Sequence, residues 1–287
     1  MTQNRDEEKS PTAPADIRQE RAHQCLYYLR LFAAAVVVAL ALVAYVWQQP
    51  LPQNAIPILE YHMVATYTDD TSYEYNVPPA EFRRQMEWLK ENGYTTVTLL
   101  DIMKAKKGKL TLPEKPIVLT FDDGYDNNYF ELLPILREYG FKATVFMVTN
   151  NIGTEGYMTW DDLRILQNEG IEIASHTANH LPLTKVKPEK YDDEILLSKL
   201  LLEWNGIKTV FFLSYPNGQY NINLLQYLRG SEFLGAVTGD TRLLVPDKDD
   251  PFLLPRINIA HPRFGITEFR WRLTKAEFFT KLKNLGR

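Results

Sequence analysis

The chain has 287 residues, of which 45% are hydrophobic and 24% charged, a balance that indicates a folded protein and excludes wholesale disorder or low complexity. Its formal net charge of −4 argues against a broad nucleic-acid-binding surface, so no nucleic-acid partner is expected. The single cysteine, Cys25, excludes an internal disulfide and a multi-thiolate zinc site, which leaves histidines and carboxylates as the ligands for any metal.

The N-terminal region predicts a membrane anchor. Residues 1–30 are polar, and we predict that they form a short disordered tail. The uncharged apolar run that follows, residues 31–47, is near the short end of the roughly 17–25 residues that span a bilayer. Several arginines, the last of them Arg30, precede the run, whereas no Lys or Arg follows it before Arg83. This asymmetry predicts a single-pass helix in the cell membrane, with a cytoplasmic tail and an extracytoplasmic remainder.

A cleaved signal peptide is the main alternative for this run, and it would yield a secreted protein. Ala44 is small enough to precede a cleavage point. The long polar tail before the run, and the bulky Tyr45 and Trp47 near its end, favour an uncleaved anchor. A buried core helix would carry a polar face, which this run lacks.

After a predicted linker at residues 48–54, short apolar segments alternate with amphipathic helical patterns through residues 55–287. This alternation predicts one α/β domain with parallel strands, either an open doubly wound sheet or a distorted (β/α) barrel. No glycine-rich phosphate loop occurs, which weakens a nucleotide-binding interpretation. The predicted strands are residues 55–59, 116–121, 143–148, 171–175, 209–213 and 234–238. The predicted helices are residues 79–92, 126–139, 159–169, 190–204 and 267–282.

Polar clusters directly follow four of the apolar segments. They are Glu60-Tyr61-His62, Asp122-Asp123-Gly124, residues 175–180 (SHTANH) and residues 214–218 (SYPNG). Each cluster by itself is more typical of a structural role: a turn for the aspartate and proline clusters, caps or surface residues for the histidine pair, and a core tyrosine with a hydrogen-bonded histidine for Tyr61-His62. Because the C-terminal ends of parallel strands converge on one face, the four clusters are expected to meet there.

The residue types in these clusters suit a metal-dependent hydrolase. One helical turn would place His176 and His180 on the same side, and a carboxylate from elsewhere would complete a two-His, one-Asp site. Such a site suits zinc or another divalent transition metal. Of two adjacent aspartates, one can ligate the metal while the other acts as a general base toward water. Gly124 permits the tight turn that such a loop needs.

The same motifs resemble a known family. Residues 120–124 (TFDDG), 176–180 (HTANH) and 214–218 (SYPNG) are similar to three motifs of the polysaccharide deacetylase domain, also called carbohydrate esterase family four. Residues 56–62 (IPILEYH) and 254–257 (LPRI) resemble the branch that includes bacterial poly-β-1,6-N-acetylglucosamine deacetylases. The resemblance extends over most of the outer domain, and it implies a distorted (β/α) barrel.

The resemblance also implies roles for individual residues. Asp123, His176 and His180 would ligate the metal, with zinc expected and nickel or cobalt as alternatives. Asp122 would be the general base, and the Asn217 N–H, after Pro216, would hold the oxyanion. In this branch the acid that protonates the leaving amine would be His62.

Several residues depart from the family pattern or stay ambiguous. The third motif lacks an arginine that orients the base in many relatives; Arg256 either replaces it or forms a structural ion pair. Glu60 occupies a position that is often apolar, and it either tunes His62 or lies in solvent. His261 is the alternative general acid, although its surroundings do not match the late family motif. Trp160 either lines a sugar groove or packs in the core.

The leading hypothesis is a membrane-anchored N-deacetylase that acts outside the cytoplasm on an N-acetylglucosamine polymer, with β-1,6-linked exopolysaccharide favoured. Exopolysaccharide synthesis machinery is a candidate partner. The alternatives are a peptidoglycan or chitin-type substrate, a non-catalytic glycan-binding protein on the same fold, and an amidohydrolase for small molecules.

Overall fold

The computed structural model describes residues 15–66 and 73–286. The chain divides into two compact units, Met1–Pro50 and Leu51–Arg287.

The first unit contains helix α1, Ala15–Gln48. The prediction of a disordered tail up to residue 30 is therefore wrong from Ala15 onward, while residues 1–14 lie outside the described part of the chain. The reason is that no glycine or proline interrupts residues 15–30, which are rich in good helix formers. Within α1, residues His23–Gln48 are long and apolar enough to cross a membrane, which makes this helix a candidate membrane anchor or signal sequence.

The second unit is built on a curled sheet of parallel strands, which confirms the predicted α/β barrel-like fold. The strands run in the spatial order β7-β6-β5-β4-β3-β1-β8, with β2 paired beside the start of β3. Their bounds are β1 Ile58–Tyr61, β2 Thr95–Thr96, β3 Pro116–Phe121, β4 Thr144–Met147, β5 Glu172–Ser175, β6 Phe212–Ser214, β7 Gly235–Val237 and β8 Ile257–Asn258.

A single late segment bridges the two edges of this sheet. Leu254 forms a parallel bridge with Val237 at the end of β7, and β8 pairs with β1 on the opposite edge. Arg256 lies between these two pairings. The distorted closure of the barrel therefore places Arg256 where the segment passes across the interior.

Helices cover the outside of the sheet. They are α2 Pro79–Glu91, α3 Leu99–Lys106, α4 Leu133–Tyr139, α5 Trp160–Asn168, α6 Leu197–Trp204, α7 Ile222–Arg229 and α8 Gly265–Leu285. Single π-helical turns, Asn128–Leu132 and Asp192–Leu196, lead into α4 and α6. The sequence analysis missed α3, α7, β2 and β8, because elements of two to eight residues are too short to show a clear period.

The period of two along each strand separates an outer from an inner face. Outward residues such as Leu119 and Phe121 pack under the helices in the larger apolar cluster. Inward residues near the strand starts form a second apolar cluster, which includes Ile58, Val118 and Phe212. Two residues further along each of these strands the inward side chain is polar, and these are Glu60, Thr120 and Ser214.

Candidate active site

Of these inward polar residues, Glu60 lines a cavity of about 530 Å³ at the C-terminal ends of the strands. This is the face that the sequence analysis predicts. Three carboxylates and three histidines contribute to its wall, and they are Glu60, Asp122, Asp123, His62, His176 and His180.

Asp122 is fixed by Arg256 at the bottom of this cavity. Both side chains are buried, and the guanidinium binds the carboxylate with two hydrogen bonds, Nη1 to Oδ1 at 2.7 Å and Nη2 to Oδ2 at 2.8 Å. The Ser214 hydroxyl donates a third bond to Oδ2 at 2.9 Å. Burial by itself would raise the pKa of Asp122, but the charge and hydrogen bonds of Arg256, together with the nearby His176 and His62, outweigh it and hold that pKa well below the usual range. Asp122 is thus ionised at neutral pH.

Asp123 turns away from its neighbour because the backbone leaves the strand here. Its φ is 72°, and Gly124 follows with a φ of 81°. A Cβ on Gly124 would lie 2.1 Å from the Met147 Sδ atom, so both the conformation and the space require glycine. The turn points two adjacent carboxylates in different directions, as the predicted division of roles between them requires.

His176 presents one defined nitrogen to Asp123. Its Nδ1 lies 2.9 Å from the Ser214 carbonyl oxygen, which can only accept, so Nδ1 carries the proton and Nε2 keeps its lone pair. Nε2 lies 3.5 Å from Asp123 Oδ1. Burial lowers the pKa of His176 and thereby favours the neutral form that binds metals.

His180 completes the group, but not through a helical turn. Thr177 and His180 have φ values of 68° and 55°, so the segment is a tight loop and the predicted helical spacing is wrong as the reason for their proximity. The loop still brings the two imidazole centroids to 4.7 Å, and His180 Nε2 lies 3.6 Å from Asp123 Oδ1. One potential ligand atom from each of Asp123, His176 and His180 lies within 4.8 Å of the others. Two nitrogens and one carboxylate oxygen form a donor set that fits a divalent transition metal.

A buried glutamate that the sequence analysis missed holds this loop in shape. Glu194 accepts bonds from the Asn179 backbone N–H at 3.1 Å and from its Nδ2 at 2.8 Å, and its own carbonyl accepts from the Ala178 N–H. It lies in the π-helical turn before α6. It lies among other acidic residues at the start of an amphipathic helical pattern, and no local sequence signal distinguishes it from them, so only the loop geometry reveals its role.

The third motif forms the opposite wall. Asn217 adopts a left-handed conformation with a φ of 58°, and it lines the cavity together with Gly218. A Cβ on Gly218 would lie 2.5 Å from the Gly239 backbone nitrogen, so this turn packs closely on the next loop. Pro216 is buried behind the turn and lies outside the cavity lining.

Two other predicted residues lie away from the cavity. His261 stacks on Tyr73 at 3.8 Å between ring centroids, and its Nδ1 lies 3.0 Å from the Asn76 carbonyl oxygen. Trp160 is the first residue of α5 and packs against the larger apolar cluster. His62 does line the cavity, where one of its ring nitrogens lies within 4.8 Å of a carboxylate oxygen of both Glu60 and Asp122.

Comparison with known proteins agrees with this arrangement. The polysaccharide deacetylase family model matches residues 109–233. YxkH of Bacillus subtilis, a protein classed as a polysaccharide deacetylase, is 34% identical over 192 residues, which cover 67% of each chain. The chain belongs to the polysaccharide deacetylase family. It is therefore a hydrolase that acts on amide bonds of acetylated polysaccharides, and enzymes of this family are metal-dependent.

Two further relatives and one solved structure are also similar to this deacetylase. A poly-β-1,6-N-acetyl-D-glucosamine N-deacetylase of Escherichia coli K12 is 33% identical over 148 residues, which cover 46% of this chain but 22% of that longer protein. An enzyme of the same name from Staphylococcus epidermidis is 27% identical and is covered over 72% of its length. The structure of the Streptococcus pyogenes deacetylase PplD, in complex with acetate, superposes with a TM-score of 0.71 at 25% identity and covers 77% of this chain and 99% of PplD.

The matched range of the family model shows which parts of the site are separate in sequence. It includes both aspartates, His176, His180 and the third motif. It begins after His62 and ends before Arg256. The deacetylase thus completes its cavity with residues from outside the matched range, among them Glu60 in its first strand, His62 directly after it, and Arg256 and Asn258 in its last bridging segment.

Proposed function

We propose that this deacetylase removes acetyl groups from poly-β-1,6-N-acetylglucosamine. One observation carries the proposal: a single cavity holds the Asp123–His176–His180 group, with Asp122 and His62 beside it. The choice of polymer is supported by the relatives from Escherichia coli and Staphylococcus epidermidis, whose names specify this glycan.

Asp123, His176 and His180 would hold the divalent metal, which we propose to be zinc, with nickel and cobalt as alternatives. The fit lies in the donor chemistry: the Ser214 carbonyl fixes the His176 tautomer so that Nε2 is available, and the carboxylate oxygen of Asp123 lies close to both imidazoles. When bound, such an ion polarises the acetamide carbonyl and makes water more acidic.

Asp122 would accept the proton of the attacking water. Its two hydrogen bonds with Arg256 and the one from Ser214 leave its orientation no freedom, which is what a general base requires. Arg256 helps to keep Asp122 ionised in a buried position, so the carboxylate form that a base requires is present at neutral pH. In this assignment Arg256 is a positioning residue.

His62 would donate the proton that the leaving amine needs. Its ring nitrogen lies within 4.8 Å of an Asp122 oxygen, so acid and base can face one acetamide group. The Asn217 backbone N–H would stabilise the negative charge that develops on the carbonyl oxygen, since the left-handed turn at Asn217 lies in the wall of the same cavity.

Helix α1 would anchor the enzyme in the cell membrane, with the tail in the cytoplasm and the catalytic domain outside. The apolar length of His23–Gln48 and the absence of Lys and Arg between Arg30 and Arg83 support this orientation. An extracytoplasmic domain would meet an exported glycan, and the synthesis machinery of that glycan is the partner we propose.

The test is release of free amine by the full chain in detergent, stripped of metal and reloaded with zinc, nickel or cobalt. Oligomers of β-1,6-linked and β-1,4-linked N-acetylglucosamine and peptidoglycan fragments serve as substrates, with Asp122→Asn as the control. We expect metal-dependent release from the β-1,6-linked oligomers. Preferential release from a β-1,4-linked substrate would overturn the choice of polymer, and metal binding without release from any substrate would favour a glycan-binding role.

A further inference from the structure

Glu60 is a buried carboxylate that the reaction scheme does not use. The residue is 9% exposed and lies in the cavity wall. Its Oε2 atom is shut off from solvent and lies 3.4 Å from the Arg256 Nε atom, yet it accepts no hydrogen bond from any described residue. Oε1 also has no hydrogen-bond partner in the described part of the chain, and it is the carboxylate oxygen that stays open to the cavity.

The other two carboxylates of the cavity are already engaged. Asp122 accepts bonds from Arg256 and Ser214, and Asp123 faces the two histidines. Arg256 donates its Nε–H to the Thr238 carbonyl oxygen at 3.2 Å, so Glu60 does not receive that proton. Of the carboxylates in the described lining, Glu60 has the acceptor capacity to spare. Oε2 is enclosed beside Arg256, whereas Oε1 faces the cavity without a donor from the described residues, so a ligand hydroxyl that enters the cavity can donate to Oε1.

Asn258 lies beside Glu60 on the adjacent strand. The two residues are paired in the parallel register of β1 and β8, so their side chains share one face of the sheet. Asn258 also lines the cavity, and its side-chain amide makes no hydrogen bond with a described residue. A carboxylate acceptor next to an amide, which both donates and accepts, matches the hydrogen-bonding pattern of a sugar hydroxyl.

We propose that Glu60 and Asn258 form a hydroxyl-binding subsite for the sugar unit that carries the reacting acetamide group. The inference rests on the proposed function, because it places that sugar in this cavity. A β-1,6-linked unit keeps free hydroxyls at C3 and C4, and one of them donates to Glu60 Oε1. Glu60 thereby contributes to substrate specificity and does not take part in the bond-breaking steps.

The experiment crosses enzyme variants with substrates that lack single hydroxyls. The full chain is assayed as wild type, Glu60→Leu and Glu60→Gln on a β-1,6-linked trisaccharide and on its 3-deoxy and 4-deoxy analogues in the reacting unit. For Glu60→Leu we expect KM to rise roughly 10- to 100-fold with little change in kcat, because a bond to a charged acceptor is lost from binding. With the wild type, KM for one of the two deoxy analogues should rise by a similar factor. With Glu60→Leu, KM for that analogue should equal KM for the parent trisaccharide. Glu60→Gln keeps a neutral acceptor, so its KM for the parent trisaccharide should lie between those of the wild type and Glu60→Leu.

The cycle separates this role from a structural one. If Glu60 serves only to neutralise Arg256, kcat and the melting temperature of the variants fall. The rise in KM for both deoxy analogues then persists in the variants, and the proposal is overturned. Unchanged KM in Glu60→Leu overturns it as well. If Glu60→Leu does not fold, the Glu60→Gln comparison decides by the same criterion. If the wild type does not turn over the parent trisaccharide, the proposed function fails by itself, and the dissociation constants of the same three sugars then decide the role of Glu60.

Discussion

The two ends of the parallel sheet both carry a cavity, but only one end carries a constellation suited to the reaction. At the N-terminal strand ends a cavity of about 610 Å³ is lined largely by leucines, prolines and other apolar residues; its described lining also contains three carboxylates but no histidine. The cavity at the C-terminal ends is smaller, about 530 Å³, and contains three carboxylates and three histidines. Size therefore does not distinguish the candidate active site, whereas the histidines and carboxylates at the C-terminal strand ends do.

The pKa values of two carboxylates, one at each end of the sheet, are shifted in opposite directions. Glu172, the first residue of β5, accepts bonds from the Leu99 and Leu100 N–H groups at 3.1 and 3.2 Å and from the Thr144 hydroxyl at 2.7 Å. Burial nevertheless raises the pKa of Glu172 to about 7. Asp122, paired with the full charge of Arg256, has its pKa lowered instead. Neutral donors satisfy a carboxylate geometrically, whereas a guanidinium also keeps it ionised.

The largest effect is expected from removing a proposed metal ligand. His176→Ala should reduce bound metal to a small fraction of the wild-type stoichiometry and amine release to background, because two of three protein ligands do not hold the ion. Metal content after dialysis is measured together with activity. His261→Ala is the matched control, since that imidazole lies outside the cavity and should leave both unchanged. Stoichiometric metal in His176→Ala would remove this residue from the ligand set.

Asp122→Asn should lower kcat by roughly 10²–10⁴-fold, the usual contribution of a general base. The amide keeps the shape of the carboxylate, so bound metal should stay near the wild-type level. Single-turnover amine release and metal analysis on the same sample check both parts. The control is Asp247→Asn, in the cavity at the N-terminal strand ends, and it should retain full activity. Activity within a few-fold of wild type in Asp122→Asn would exclude the base role.

Arg256→Met should destabilise the protein by about 3–5 kcal/mol, because it leaves the buried Asp122 charge without its partner. The melting temperature of the full chain in detergent should fall accordingly. Adding Asp122→Asn to this variant removes the uncompensated charge and should restore part of the lost stability. A double variant no more stable than Arg256→Met would show that the ion pair is not the source of the effect.

The smallest expected effect concerns Glu172 at the N-terminal end of the sheet, and it is a change in how the free energy of unfolding depends on pH. Because the pKa of Glu172 is raised to about 7 in the folded state, the folded chain binds more protons than the unfolded chain between the two pKa values. The contribution of Glu172 to the free energy of unfolding is therefore lost as pH rises from about 4.3 toward 7, by at most about 1.4 kcal/mol per pH unit. Glu172→Gln should flatten this part of the curve of unfolding free energy against pH. Parallel curves for wild type and variant would contradict the assignment.

The sequence predicts which residues meet at the C-terminal end of the sheet well, because the signal for them is local. Asp122 and Asp123 follow a buried strand directly, and so does the loop of His176 and His180, so the period of two and the common end of parallel strands suffice to bring them together. The strand positions are shifted by one to three residues at most ends, as for β1, which begins at Ile58 and includes Glu60 and Tyr61.

What the sequence leaves open depends on contacts between distant segments. The partner of Arg256 is Asp122, which lies 134 residues earlier, and no local pattern distinguishes that pair from a structural ion pair. Glu194 supports the histidine loop from a helix whose pattern is polar throughout its first turn. The burial of Glu60 likewise follows from its pairing with β8, an element of two residues.

The bridging segment from Leu254 to Asn258 also sets the order in which the enzyme becomes competent during synthesis. The ribosome produces Asp122, the histidine loop and the third motif well before Arg256, and the pairing of β1 with β8 joins residues almost 200 positions apart. Until that last segment emerges and docks, Asp122 has no guanidinium partner and the sheet has two open edges. With Asp122 as the proposed base, we expect a chain that ends before Arg256 to be inactive, so that only chains translated almost to the end carry out deacetylation.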